Sequence, residues 1–510
     1  MNDSPLPPAP PPRATRKEWL GLLVIALPCL LYSMDLTVLH VAVPALSADL
    51  KPTAAQLLWI IDIYGFMVAG SLITMGTIGD RIGRRRLLLL GAAAFGGASM
   101  LAAFCHTAST LIAVRALLGL AGATVAPSTL SLIRSMFQDP GQRTVAISVW
   151  ITSYSLGGAV GPLLGGALLE HFWWGSVFLI GVPVMLLVLV LGPLVLPEYR
   201  DPNAGRPDIW SALLSLTAVL AVIFGLKRIA QGGVELASLA VIALGVTLGA
   251  AFVRRQRSLK APLVDLRLFR VPAFSASLFT YAFAMFVLFG GFLFLPQFLQ
   301  LVRGLSPFEA GLWTLPWALA FVLGALVTPS LSRRLRPAVL MPLGLVLTAL
   351  GFAAFTRVDR DTSFAMFGAA SALFSLGLAP VFTLTTDLVV GSAPAEHAGA
   401  AAALSETGAE LGGALGIAGF GSLGVAVYRH ALADALPADL PAAARQAASA
   451  TLGGASAVAA QLPHAAGLAL LAAAREAFIN SVHACAALSV VGALGLSLFT
   501  AFALRKLVKS

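Results

Sequence analysis

Charge is scarce in this chain of 510 residues: Asp, Glu, Lys and Arg together make up 11% of it, against 58% hydrophobic residues. Soluble globular proteins carry about 25% charged residues, so this composition excludes that class. A mean hydropathy of +0.89 indicates many membrane spans rather than one anchor. We therefore expect an all-α membrane protein.

Cysteine is also rare, and the three cysteines, Cys29, Cys105 and Cys485, show no paired spacing. A disulfide framework and a cysteine metal site are therefore unsupported. The seven histidines are scattered without metal-ligand spacing, which argues against a membrane enzyme or a metal-dependent sensor. No G-x-x-x-x-G-K-[ST] run exists, which argues against an ATP-driven pump. We expect neither a metal nor a cofactor.

Long apolar segments fill the chain instead. Fourteen windows are long enough to cross roughly 30 Å of hydrocarbon. Most of the 33 Lys and Arg residues fall in alternate loops, and the positive-inside rule then puts both termini in the cytoplasm. The net charge of +10 thus reflects topology in the cell (inner) membrane, and no nucleic-acid partner is expected.

Charged linkers suggest an arrangement of six, two and six spans. We assign 1–18 to a cytoplasmic Pro-rich tail, 19–200 to an N-terminal six-helix bundle, 201–260 to two linker helices and 261–510 to a C-terminal six-helix bundle. The last part includes the outer loop 428–477, for which short surface helices and flexible disorder both stay open. Repeated bundles of this kind are typical of transporters.

Two acids lie inside the thirteenth window. Glu406 and Glu410 stand one helical turn apart in a segment otherwise apolar enough to span, where a carboxylate costs about 3 kcal/mol. They share a helix face and would compete for ionisation. The pattern predicts a place where a proton is held and exchanged, and we favour Glu410 for direct coupling because it is nearer mid-membrane.

Three more charged residues lie at similar depth. Asp35, Asp62 and Arg115 fall in the first, second and fourth windows, roughly 8 to 12 Å below the outer surface by helical rise. A guanidinium beside Asp35 would favour its charged form, and an arriving proton would release the pair. A static ion pair is the alternative for Asp62 and Arg115.

The loop after the second window and the fifth window carry motifs. The loop GTIGDRIGRR resembles the inner-loop signature of the major facilitator superfamily, which implies a conformational latch at Gly76, Asp80, Arg81, Gly83 and Arg84. The fifth window has small residues every fourth position, which allow close helix approach. Its G-x-x-x-G-P-x-x-G-G string looks like the antiporter signature of drug:proton exporters in that superfamily, at Gly157, Gly161, Pro162, Gly165 and Gly166.

Motifs in the first and thirteenth windows make the resemblance more specific. MDLTVLHVAVP is similar to a motif of fourteen-span drug exporters, with His40 in place of the usual Asn. SETGAELGGALGIAGFGSLG is similar to the matching helix of QacA- and SmvA-type pumps for quaternary ammonium compounds and cationic dyes. That resemblance implies that Glu406 and Glu410 serve proton coupling and cation binding.

These patterns together predict a proton-coupled multidrug efflux antiporter for lipophilic cations, including biguanides. Its expected partners are small-molecule cations, protons and the lipid bilayer, and we expect a monomer. Further site candidates are one acid near the inner end of the twelfth window and aromatic residues that could stack on cations: Asp387, Tyr64, Tyr154, Tyr281, Phe286 and Phe289. The alternative is a proton-coupled exporter of a neutral or anionic metabolite or antibiotic.

Overall fold

A computed structural model describes residues 13–52, 54–200, 208–232, 234–259, 262–394, 397–433, 436 and 440–505. Within these residues the chain is helical and contains no strand. Fourteen helical segments are long and apolar enough to cross a membrane, and we number these spans in chain order. Most of the Pro-rich tail, at 1–12, and the linker 201–207 lie outside the described residues.

The first compact unit comprises Met1–Tyr64, Met75–Pro207 and Val390–Ala403. Its helices carry spans one to six. Their bounds are Arg16–Leu50, Ala54–Ile82, Arg84–Ala103, Ala108–Gly122 followed by Val125–Met136, Pro140–Leu169, and Ser176–Leu179 followed by Gly181–Val195.

The second compact unit comprises Gly65–Thr74, Asp208–Val389 and Leu404–Ser510. Its helices carry spans seven to fourteen, and ten residues in the middle of span two belong to it as well. The bounds are Ile209–Gly232, Leu236–Ser258, Leu266–Arg270, Pro272–Phe292, Leu295–Gln297, Phe298–Val302, Pro307–Ser332, Pro337–Phe355, Phe364–Ser392, Ala398–Leu432, Ala442–Ala450, Leu452–Ala459 and His464–Arg505.

Local sequence explains where several helices begin. Thr15 caps the first helix and Ser306 caps the helix of span ten, each in a capping box with a glutamate three residues later. Prolines stand in the first turn of the helices that begin at Pro140, Pro272 and Pro337, where the missing N–H has no helical partner to lose.

The segment between spans thirteen and fourteen contains two short helices, Ala442–Ala450 and Leu452–Ala459. Tyr428, near the end of span thirteen, donates its hydroxyl to the Ala448 carbonyl at 3.0 Å. The next helix, which carries span fourteen, begins at His464. In its described residues this segment is therefore helical and is held against the end of span thirteen.

A pair of hydrogen bonds and an ion pair join the start of span seven to the end of span eight. Arg255 donates through Nε and Nη2 to the Asp208 carboxylate at 2.7 and 3.0 Å. These bonds lower the pKa of Asp208, which precedes span seven, to about 2. Gln256 donates to Ser211 and accepts from the Leu263 amide, which fixes the chain leaving span eight.

Candidate functional site

A buried ion pair joins spans one and four of the first unit. Arg115 Nη1 donates to Asp35 Oδ2 at 2.6 Å, and the two side chains are 1% and 7% exposed. Arg115 Nε also donates to the Ile60 carbonyl of span two at 3.1 Å. The structure thus brings together two of the three charged residues that the sequence predicted to lie at a similar depth in the membrane. Asp62 is half-buried on span two, two residues after Ile60.

Aromatic rings surround this pair. The Arg115 guanidinium carbon lies 4.9 Å from the centroid of the Tyr64 ring, close enough for a cation–π contact. Tyr64 and Tyr154 both pack against Tyr32, with ring centroids 5.9 and 5.4 Å apart, and Trp150 packs against Tyr154 at 4.7 Å. Tyr32 was not among the sequence candidates, although it precedes Asp35 by three residues and so lies on a nearby face of the same helix.

Span five packs its glycines against the segment of span one that carries Asp35. A Cβ on Gly157 would collide with the Leu30 carbonyl, one on Gly161 with Thr37, and one on Gly165 would lie 2.5 Å from Val38 Cγ2. Pro162 stands inside this helix, and Gly166 faces open space. Because the two helices are packed this closely, a displacement of span one near Asp35 would also displace span five.

The inner-loop motif forms a compact charged cluster in the first unit. Asp80 and Arg84 make a buried ion pair one turn apart, and Arg84 Nη1 donates to the Gly76 carbonyl at 3.3 Å. Gly83 has φ +111°, a value that favours glycine, and a Cβ there would collide with the Glu198 carboxylate. Arg81 is half-buried beside Asp80.

The same cluster receives residues from two distant parts of the chain. Tyr199, just after span six, accepts from the Arg84 amide at 3.1 Å, and Glu198 lies 3.6 Å from Arg85 Nε. At the start of span thirteen, Gly399 lies so close to Arg84 that a Cβ would overlap the guanidinium, and a Cβ on Gly76 would meet the Gly399 carbonyl at 2.6 Å. Glu198 and Gly399 were missed because their partners lie far away in sequence.

The two acids of span thirteen lie in the second unit and have different partners. The Tyr281 hydroxyl of span nine donates to Glu406 Oε1 at 3.4 Å. Glu406 is half-buried, whereas Glu410 is exposed. Glu410 interacts electrostatically with Lys227 of span seven, and Glu406 with Glu410. A side chain of span nine thus contacts the first of two carboxylates that stand one turn apart on span thirteen.

Lys227 is a site residue that sequence reasoning missed. The seventh apolar window was expected to end at residue 226, whereas the structure extends span seven to Ile229. The Lys227 ammonium nitrogen lies 4.7 Å from the centroid of the Phe66 ring of span two. A lysine directly after a predicted window end, in a chain with so few charges, was the available signal.

Span thirteen approaches span nine through its own glycines. A Cβ on Gly412 would collide with the Ala282 carbonyl and one on Gly416 with the Phe286 carbonyl, while Gly408 faces Leu278 at 3.4 Å. Phe286 stacks edge-on against Phe420 with centroids 5.3 Å apart. These contacts fix the face on which Glu406 and Glu410 stand.

The remaining candidates are spread along the second unit. Tyr281 packs against Phe382 at 5.4 Å as well as bonding Glu406. Phe289 is 45% exposed and lies against Gly413 of span thirteen. Asp387 is half-buried near the C-terminal end of span twelve. Among the described residues no three His, Cys, Asp or Glu side chains are grouped so that they could hold a metal ion.

An all-helical chain with fourteen apolar spans and charged groups inside several of them defines a polytopic membrane transporter. Comparison with known proteins supports this class: the family model described as Major Facilitator Superfamily matches residues 25–417. The chain belongs to the major facilitator superfamily. It is a transporter and not an enzyme, and it is a multi-pass protein of the inner membrane.

Curated relatives match over nearly the whole chain. The multidrug efflux pump LfrA of Mycolicibacterium smegmatis is 42% identical, with 97% of this chain and 98% of LfrA covered. The methyl viologen resistance protein SmvA of Salmonella typhimurium is 40% identical over 91% of this chain and 94% of SmvA. The tetracenomycin C resistance and export protein of Streptomyces glaucescens is 34% identical over 80% and 76%.

Solved structures share the fold. The human organic anion transporter MFSD10 (TETRAN) superimposes with a TM-score of 0.60 at 16% identity, covering 97% of this chain and 100% of that chain. A bacterial homologue of the human lysosomal transporter Spinster gives 0.58 at 19% identity, covering 97% and 98%. The homologues of this transporter are thus efflux and resistance proteins, on a fold shared with more distant transporters.

Proposed function

We propose that this transporter is a proton-coupled antiporter that exports lipophilic cations, including quaternary ammonium compounds, cationic dyes and biguanides, by alternating access. The observation that carries the proposal is the pair of carboxylates, Glu406 and Glu410, inside span thirteen. An intramembrane acid is costly and usually marks an ion or substrate pathway. Carboxylates that bind either a proton or an organic cation exchange one for the other.

The proposed cycle uses the same acids for both ligands. With both termini cytoplasmic, deprotonated Glu406 and Glu410 attract a cation from the inner side, and protons arriving from outside discharge it there. Each elementary charge moved through 100 mV supplies about 2.3 kcal/mol, enough for more than tenfold accumulation per net charge. Asp35 adds a second protonation point, where a proton would release Arg115 from its 2.6 Å ion pair.

The two sequence motifs, in the loop after span two and in span five, have structural roles in this proposed cycle. We assign the buried Asp80–Arg84 cluster to a conformational latch on the inner side, since its members touch the start of span thirteen through Gly399. We assign the glycines of span five to transmitting movements of the Asp35 segment. The protein works as a monomer in this proposal, with the aromatic residues around Tyr64 and Tyr281 offering ring faces to flat cations.

The names of two relatives support the export of drugs in general. One is named for resistance to methyl viologen, an aromatic dication, and another for multidrug efflux. Their similarity covers span thirteen and the other spans, because it extends over more than nine-tenths of the chain.

Everted membrane vesicles test the proposal. With an acidic lumen, addition of a quaternary ammonium compound should release protons, reported by a pH-sensitive dye, and the compound should accumulate inside. Glu410→Gln should abolish both signals. Asp361→Asn makes the same chemical change at an exposed position before span twelve and should leave both intact. Vesicles that neither release protons nor accumulate the compound, at normal protein levels, would refute the proposal.

A second candidate is the export of a neutral or anionic metabolite or antibiotic with the same proton machinery. One observation favours it: Lys227 supplies a positive charge beside Glu410, which weakens a purely cation-selective site. The tetracenomycin C export protein among the relatives is named for an antibiotic. Under this alternative, Glu410→Gln would lose cation transport while retaining proton-driven export of neutral compounds.

A further inference from the structure

Three arginines stand together at one end of the second unit. Arg303 follows span nine, Arg360 lies between spans eleven and twelve, and Arg475 stands in the helix that carries span fourteen. All three are half-buried. They belong to the minority of basic residues that fall at the predicted outer ends of spans, so the positive-inside rule does not account for them.

Each of these arginines donates a hydrogen bond to the backbone of another of the three segments. Arg475 Nε donates to the carbonyl of Leu301, near the end of span nine, at 3.1 Å. Arg303 Nη1 donates to the Arg360 carbonyl. Arg360 Nη2 in turn donates to the carbonyl of Ala472, which stands about one turn before Arg475 in the same helix. These bonds connect the three segments in a closed circuit, and we call Arg303, Arg360 and Arg475 together the arginine ring.

No acid balances the positive charge of the arginine ring. Among the described residues, its guanidinium groups donate to backbone carbonyls, and no carboxylate forms an ion pair with them. The acids adjacent in sequence, Asp359, Asp361 and Glu476, are all exposed. Asp359 accepts instead from the Asp361 amide and the Thr362 hydroxyl of its own turn. Like charges held near one another repel, and an anion bound among them would offset that repulsion.

Two hydrogen-bond donors of the ring also indicate a ligand. The Nε atoms of Arg303 and Arg360 are buried and have no hydrogen-bond partner in the part of the chain that the structure describes. Burying a guanidinium N–H without an acceptor is costly, so such donors normally have one. A phosphate group supplies several charged oxygen acceptors, and its geometry matches the planar fork of a guanidinium.

The arginine ring borders an exposed apolar surface. The Arg303 guanidinium carbon lies 5.3 Å from the centroid of a ring of Trp313, which stands near the start of span ten. Trp313 packs edge-on against Phe364 with ring centroids 5.2 Å apart. Phe364 is 48% exposed and Leu312 is 42% exposed. Tryptophan is enriched where spans meet lipid headgroups, so a phosphate held by the ring would lie beside a surface that suits acyl chains.

We propose that the arginine ring binds the phosphate of an anionic phospholipid in the predicted outer leaflet, with the acyl chains against the surface around Trp313 and Phe364. One headgroup would then hold the three segments of the ring together. A zwitterionic phospholipid carries the same phosphate but adds a cation, which the guanidinium groups repel. A free phosphate ion has the charge without the chains. The proposal goes beyond the proposed transport function and does not depend on it.

Native mass spectrometry of the purified full-length protein, washed free of lipid in detergent, tests this because it counts bound lipids. The probes are phosphatidylglycerol and phosphatidylcholine with the same acyl chains. We expect phosphatidylglycerol to bind more tightly than phosphatidylcholine, and Arg303→Gln to weaken its binding on the order of tenfold through the loss of charged hydrogen bonds. Arg429→Gln makes the same change at an exposed position near the end of span thirteen and should leave binding unchanged.

Arg360→Gln is the second variant, in case Arg303→Gln does not fold. His483 Nε2 donates to the Val358 carbonyl at 2.7 Å, and this bond holds the segment of Arg360 against span fourteen without the guanidinium. We expect Arg360→Gln to lose the preference for phosphatidylglycerol to a similar extent.

Three outcomes would overturn the proposal. Equal binding of the two lipids by the wild type would show that the ring does not select an anionic headgroup. Glutamine variants that unfold at a lower temperature without lipid, yet keep the preference for phosphatidylglycerol, would give the ring a purely structural role. Displacement of phosphatidylglycerol by inorganic phosphate, but not by chloride at equal ionic strength, would assign the ring to a free phosphate ion.

Discussion

Two helix pairs of this transporter pack alike and hold their charges differently. In the first unit, glycines of span five at every fourth position contact Leu30, Thr37 and Val38 of span one. In the second unit, glycines of span thirteen at every fourth position contact Leu278, Ala282 and Phe286 of span nine. Both pairs bring backbones together so closely that a methyl group would meet a carbonyl oxygen.

Their acids have contrasting partners. In the first pair Asp35 stands on the helix that receives the glycines and is held by the buried guanidinium of Arg115. In the second pair Glu406 and Glu410 stand on the glycine helix itself, and Glu406 accepts a hydrogen bond from the Tyr281 hydroxyl at 3.4 Å. A planar guanidinium with a second anchor at Ile60 is a fixed partner, whereas a single 3.4 Å hydrogen bond from a neutral hydroxyl is a weaker one.

This difference suggests that the two helix pairs share a packing arrangement and use their acids for different functions. In the predicted arrangement of six, two and six spans, spans one and nine hold the same place in their blocks, as do spans five and thirteen. That arrangement stays a prediction. If the two pairs are repeats of one arrangement, the firmly held Asp35 would control the conformational change. Glu406 and Glu410, which are held less firmly, would exchange ligands.

The largest effect that separates the two pairs should come from Arg115→Gln. It leaves Asp35 buried without its counter-ion, and breaking a buried ion pair costs about 3–5 kcal/mol. Glu410→Gln should cost at most about 1 kcal/mol, because Glu410 is exposed. Thermal unfolding of the purified protein in detergent measures both.

The double variant Asp35→Asn with Arg115→Gln is the control for this contrast. It removes both buried charges and should recover much of the lost stability. Equal destabilisation by Arg115→Gln and Glu410→Gln would show that the two acids are not held differently.

A smaller effect should show that the two scaffolds are equivalent. Gly157→Ala and Gly412→Ala each place a methyl group against a carbonyl oxygen of the adjacent helix, so the helices must separate. We expect each change to destabilise the protein by about 1–3 kcal/mol and to reduce transport. Gly166→Ala, with no atom within 4 Å of its added methyl group, should be neutral or stabilise by up to about 1 kcal/mol through helix propensity.

A loss at Gly157 with tolerance at Gly412 would contradict the shared scaffold. It would indicate that only the first pair depends on close approach of its backbones. Measuring unfolding and transport on the same preparations distinguishes a packing defect from a defect in exchange.

Much of this comparison was accessible from the sequence. Apolar length predicted fourteen spans, and the structure has fourteen. Helical rise alone put Asp35 and Arg115 at one depth, and they form an ion pair. The glycine pattern of span five predicted close packing. The same period in Gly408, Gly412 and Gly416 was visible too, and it indicates the second scaffold.

The partners of the acids were not accessible. Tyr281 contacts Glu406 because of how each helix is rotated about its axis, and that rotation is set by packing between spans distant in sequence. Lys227 was missed because a hydropathy window ends before a charged residue, even when the long side chain of that residue lies within a span. Glu198 reaches the inner-loop cluster for a similar non-local reason.

The smallest predicted effect distinguishes a structural acid of the second unit from its exchangeable ones. Asp208→Asn breaks the clamp with Arg255 and should cost below about 1 kcal/mol, because Arg255 is partly exposed. The folded pKa of Asp208, about 2, lies below the ordinary aspartate value of 3.8. Its contribution is therefore complete above pH 4 and disappears as the pH falls towards 2.

The stability difference between wild type and Asp208→Asn should accordingly stay constant from pH 8 to pH 5 and shrink below pH 4. Transport of a quaternary ammonium compound should be the same in both proteins, because the clamp lies at one end of span seven and the contacts of Ile223 and Leu226 with span thirteen lie towards the other. A loss of transport in Asp208→Asn would mean that the clamp positions span seven against the helix that carries Glu406 and Glu410. The contrast between fixed and exchangeable acids would then depend on span seven as well as on the two helix pairs.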